Sequence, residues 1–177
     1  SFSGKNMAPI ALDEDGRQIL MRRNEFGHGK QNQLEIWTIR GKDVVRSIRW
    51  TPHEDGWEPD RDIAWAEFLD AKTLATCNAG GKIAVWNLAT VQPICHLQAA
   101  DDSVPCLSAD RKWLAVAGAD SIGLFDIETR EMIASQRTPS DLQSPALAFS
   151  PSGRKIGCVS GNRIMVWDTA TGDLEKD

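Results

Sequence analysis

The residues of this 177-residue chain best suited to chemistry crowd into one stretch: His53, Glu54 and Asp55, followed by Asp60 and Asp62. Carboxylates beside an imidazole can move protons or hold a divalent cation. The spacing matches no H-E-x-x-H helix, no Gly-rich phosphate loop and no Ser–His–Asp arrangement. A charged surface loop accounts for the stretch, just as Asp13, Glu14 and Asp15 read as turn chemistry. The alternative kept open is a hydrolase or metal-dependent enzyme using the acidic loop 53–62. Cys77, Cys95, Cys106 and Cys158 show no C-x-x-C spacing, and the three histidines fall at no matching interval. A zinc site is therefore not expected. A disulfide framework stays possible, but the cysteines sit inside apolar strand patterns and read better as small core residues. No metal or other cofactor is expected, and the chain reads as non-catalytic.

Bulk properties narrow the partner classes. The formal net charge of −5 argues against a general nucleic-acid or membrane-surface binder, since either needs a basic face. Nothing resembles a signal peptide, and no apolar run approaches the ~18 residues of a membrane span. A soluble, cytoplasmic protein is the expectation. At 41% hydrophobic and 25% charged, the chain can build a core without staples.

The elements that must position any site follow from an internal repeat. Phe68 to Trp86, Leu107 to Phe125 and Phe149 to Trp167 each run 18 positions from an apolar anchor through a polar turn to an aromatic. A fourth copy starts at Leu12 and reaches Trp37 after 25 positions, seven more than the others. Within each copy lie short apolar runs bounded by turn residues, such as Leu74 to Cys77 and Ile83 to Trp86. No stretch shows a helical period, so the class is all-β. Ile83-Ala84-Val85-Trp86 is apolar on both faces, which implies sheets stacked face to face. Trp37, Trp86, Phe125 and Trp167 are then structural anchors that fill the space between sheets.

At Phe149-Ser150-Pro151-Ser152-Gly153 and Trp167-Asp168 the chain resembles the WD-repeat (WD40) β-propeller family. Trp86-Asn87, Phe125-Asp126 and Trp37-Thr38 are weaker versions of the same dipeptide. The resemblance implies a propeller of four-stranded blades that serves as a platform for protein complexes. Two departures stand out. No blade has the family's Gly-His dipeptide before its first strand. The structural Asp, six positions before the Trp, is replaced by Gln31, Gly80, Ala119 and Gly161. The family's hydrogen-bonded His–Ser/Thr–Trp–Asp network is accordingly expected to be absent, leaving packing to hold the blades.

Four blades are expected, at about 7–50, 63–98, 103–137 and 145–177. The fourth is read as lacking its outer strand, because the chain stops soon after the turn at Thr169-Ala170-Thr171-Gly172. Rings of this type usually close with roughly seven or eight blades, so the segment reads as part of a larger ring. Pairing of two copies comes second, and closure by Ser1 to Asn6 third. Self-association or further blades would therefore complete it. Two long connections, 24–32 and 51–62, fall on one rim of neighbouring blades. Loops on a rigid scaffold commonly carry recognition. Phe26, His28, Lys30, His53, Trp57 and Arg61 are the candidate contact patch for a protein or peptide partner. The alternative is that the loops are tolerated insertions and Trp57 covers a blade edge.

Overall fold

Short β-branched and aromatic runs separated by tight polar turns fold as hairpins, and hairpins in series make meanders. The computed structural model describes residues 7–23, 32–54, 62–99, 105–117, 121–137, 146–171 and 173–176. Among them there is no helix. Within the described residues sixteen strands form four four-stranded sheets, each an antiparallel meander in chain order, as in propeller blades. Sheet one contains β1 (Met7–Leu12), β2 (Gln18–Arg23), β3 (Leu34–Arg40) and β4 (Asp43–Trp50). Sheet two contains β5 (Ile63–Phe68), β6 (Thr73–Asn78), β7 (Lys82–Asn87) and β8 (Gln92–Gln98). Sheet three contains β9 (Cys106–Leu107), β10 (Trp113–Ala117), β11 (Ser121–Asp126) and β12 (Glu131–Arg137). Sheet four contains β13 (Ala146–Phe149), β14 (Lys155–Ser160), β15 (Arg163–Asp168) and β16 (Leu174–Lys176).

The fourth sheet thus has the outer strand that the sequence reading denied it. β16 pairs with β15 through Val166↔Lys176 and Trp167↔Leu174. The turn that delivers it is a repeated device. Asp168 Oδ1 accepts the backbone N–H groups of Ala170 and Thr171, at 2.8 and 3.0 Å. Asn87 does the same for Ala89 and Thr90, and Asp126 for Glu128 and Thr129. These bonds hold the Asp168 carboxyl below the usual carboxylate range. The polar residue after each of these three aromatics therefore closes the hairpin into the outer strand.

Gapless alignment of the copies hides a compensated slip. Leu74, Leu114 and Ile156 occupy one register position, opposite Trp86, Phe125 and Trp167. Leu74 follows its anchor Phe68 one residue sooner than Leu114 follows Leu107 or Ile156 follows Phe149. The shorter first turn of sheet two is offset by a longer second one, so the total interval is unchanged.

The chain divides into two compact units, Ser1–His96 and Leu97–Asp177. In the first, Leu20, Leu34 and Ile36 of sheet one pack with Ala66, Phe68, Leu74, Ala84 and Trp86 of sheet two. All six residues of β6 are buried, so this inner strand of sheet two is covered on both faces. In the second, Ile156, Cys158, Met165 and Trp167 of sheet four pack with Ala115, Ile122 and Leu124 of sheet three. The opposite face of sheet four is open: Val159 is 48% and Ile164 64% exposed. Trp86, Phe125 and Trp167 are buried, whereas Trp37 is half-buried and Leu12, the first-copy anchor, is exposed.

Candidate interaction site

β4 ends at Trp50, and the chain turns through Thr51, Pro52, His53 and Glu54. Pro52 and His53 of this turn are buried, which seats the connection against sheet two rather than in water. Beside it opens a cleft of about 580 Å3 within the first unit. Trp50, His53 and Trp86 form part of its wall, with Arg49, Lys82 and His96 supplying basic groups and Glu54 an acidic one. Trp50 and Trp86 meet edge to face, with ring centroids 6.2 Å apart and planes at 62°. That geometry sets the positive edge of one ring against the negative face of the other.

Behind the wall runs a buried polar chain. Trp86 Nε1–H donates to Thr76 Oγ1 at 3.0 Å, and the same oxygen lies 3.1 Å from His53 Nε2. Thr76 is fully buried and His53 is 3% exposed. This is the His–Thr–Trp portion of the network that the sequence reading expected to be missing, so that expectation is corrected. His53 comes from the long connection between β4 and β5, well before the strand that the Gly-His dipeptide would precede. Chain distance concealed it. The Asp of the network has no counterpart at position 80, which is glycine, and His53 Nδ1 has no hydrogen-bond partner.

Burial lowers the His53 pKa to about 4, with Lys82 and His96 adding in the same direction. The ring is neutral at pH 7 and carries one proton. Thr76 has one hydroxyl proton, with His53 Nε2 at 3.1 Å and the Ala84 carbonyl at 3.5 Å. The shorter contact favours donation to His53 Nε2, which assigns the imidazole proton to Nδ1. His53 is thus a structural wall residue. Its Nε2 faces Thr76, and burial disfavours its protonated form.

Sheet one carries a second polar cluster. Glu35 is 4% exposed and accepts from Trp37 Nε1–H at 2.9 Å and from Arg46 Nη1 at 3.1 Å, with Arg49 Nε at 3.5 Å. The carboxylate is paired on both oxygens, which is what burial of a charge requires.

Of the six candidate contact residues, Phe26, His28, Lys30, Trp57 and Arg61 lie outside the described residues. Asp55 and Asp60 of the acidic stretch lie outside them as well. His53 is turned inward. Trp50, Thr76, Lys82 and His96, which the sequence reading did not single out, form the cleft and its backing. A signal for Thr76 existed: a β-branched hydroxyl in an otherwise apolar strand needs a buried partner. Among the described residues no three His, Cys, Asp or Glu side chains converge as metal ligands. Among the described residues no helix is long and apolar enough to cross a membrane.

No family model matches the chain. A similarity extends over nearly all of it to the Periodic tryptophan protein 2 homolog of Dictyostelium discoideum, 24% identical over 183 residues. The match takes in 98% of this chain and 18% of that protein, so the chain spans less than a fifth of the relative's length.

Proposed function

We propose that this chain is a non-catalytic platform that presents one rim to a protein or peptide partner. The observation that carries the reading is the cleft of the first unit: two tryptophans and basic side chains on a wall backed by the buried His53–Thr76–Trp86 chain. Rigid aromatic and Arg-type groups are the side chains that dominate binding energy at protein interfaces. Support from likeness comes from the WD-repeat resemblance at Trp167-Asp168 and from the similarity to the Periodic tryptophan protein 2 homolog. The contact patch extends, in this reading, to Phe26, His28, Lys30, Trp57 and Arg61 on the neighbouring loops. Further blades or a second copy would complete the stack beyond the open face of sheet four.

The test is capture by the intact chain, quantified against a double variant, Trp57→Ala with Arg61→Ala. Partners retained by the parent chain and lost by the variant, at equal urea midpoints, support the patch. Unchanged capture overturns it.

A further inference from the structure

The cleft of the first unit holds two hydrogen-bond donors that the protein itself does not satisfy. Trp50 Nε1 and His53 Nδ1 are both buried and both lack a partner, and both residues belong to the cleft wall. An indole nitrogen can only donate. In the tautomer assigned above, with Thr76 donating to His53 Nε2 across 3.1 Å, Nδ1 carries the imidazole proton and donates too. A buried donor without an acceptor is a standing cost to the folded state, and nearly all such groups find a partner. Whatever supplies acceptor oxygens at this wall therefore binds with that cost relieved. Among the described lining residues, the basic side chains of Arg49, Lys82 and His96 stand against one acid, Glu54.

Two unsatisfied N–H groups on residues of one wall, with basic side chains around them, suit an anionic acceptor with two oxygens. We infer that the cleft beside Trp50 and His53 is a binding site for a carboxylate group, which takes hydrogen bonds from Trp50 Nε1–H and His53 Nδ1–H as the wall yields to it. Lys82 supplies the long-range attraction. Arg49 is less available, because its Nε and Nη2 already bond Gln33 Oε1 at 2.9 and 2.7 Å. The carboxylate has two sources, the acidic side chain of a peptide or a free small acid. The inference deepens the proposed platform reading, which rests on the same cleft, and its experiment reads the cleft wall alone.

The experiment uses the full chain, labelled with 15N, and follows the indole N–H resonance of Trp50 and the imidazole nitrogens of His53. Three probes are titrated at constant ionic strength: a blocked Gly-Asp-Gly peptide, its Gly-Asn-Gly counterpart, and acetate. The Asp peptide should shift both signals saturably, at least tenfold more tightly than the Asn peptide. Acetate binding as tightly as the Asp peptide assigns the site to free acids, and weaker acetate binding assigns it to peptides; either supports a carboxylate site. Trp50→Phe keeps an aromatic ring while deleting one donor, and Lys82→Gln removes the surface charge without touching the core. Each should weaken the Asp peptide several-fold while leaving the fold unchanged. Shifts of equal size and affinity with the Asn peptide, or none with any probe, overturn the inference. So does unaltered binding in both variants. Capture by the Trp57/Arg61 variant and the resonances of the parent chain are read in separate experiments, so the two readings fail separately.

Discussion

Replacing Thr76 by Val keeps the shape of a fully buried side chain and deletes its hydroxyl. Two contacts disappear at once: the 3.0 Å bond from Trp86 Nε1–H and the 3.1 Å contact with His53 Nε2. Both nitrogens are then left without a partner inside the protein. An orphaned buried polar group costs about 1–3 kcal/mol, so two give roughly 2–5 kcal/mol, since the pair share one oxygen and their effects overlap. Against a typical stability of about 5–15 kcal/mol this is a large fraction. Thr76→Ser is the control, because it retains the hydroxyl and loses one methyl, at about 1 kcal/mol. Urea unfolding read by tryptophan fluorescence should place the Val variant well below the Ser variant. A double-mutant cycle with Trp86→Phe isolates the bond, with a coupling of about 1 kcal/mol or more expected. The reasoning is refuted if Val costs no more than Ser, or if the Thr76 and Trp86 changes are additive.

Two further outcomes follow from the same geometry. The His53 pKa stands near 4 in the fold against 6.5 when unperturbed, so between those values the unfolded chain binds the extra proton. Stability should therefore be full above about pH 6.5 and fall as pH drops towards 4, by up to about 3 kcal/mol. His53→Gln should flatten that slope in urea midpoints measured from pH 4 to 7. Val91 sits at φ 56°, a left-handed conformation that a β-branched residue resists. Val91→Gly should raise stability by about 1 kcal/mol, visible as a higher thermal midpoint; an unchanged or lower midpoint would show that the turn is unstrained.

The repeat was legible because hairpin physics leaves a periodic mark. The pairs Asn87/Thr90, Asp126/Thr129 and Asp168/Thr171 share one spacing, and each Asn or Asp closes its turn in one way. That spacing, read at Asp168, announces β16, which a reading of the chain's short remainder overlooked. Thr76 was legible in principle as a hydroxyl within Leu74-Ala75-Thr76-Cys77. His53 was not, because nothing in its neighbours Pro52 and Glu54 distinguishes a buried imidazole from one on a charged loop. The five candidate contact residues on the long loops remain proposals argued from loop length and residue type.

Local chemistry is written along the chain, and the sequence alone was enough for it. Apolar runs of a few residues, polar turns and an aromatic at the end of each third strand dictate antiparallel meanders without helices. Tertiary structure decided everything that depends on which residues face one another across the chain. It brought His53 to Thr76 over 23 positions, set Trp50 against Trp86, and left two donors unsatisfied at one cleft. It also buried both faces of β6 in sheet two while exposing Ile164 and Val159 of sheet four, although their strands are similarly apolar. Periodicity reports what a strand can bury; only the packing of neighbouring sheets determines which faces are covered and which polar groups find partners.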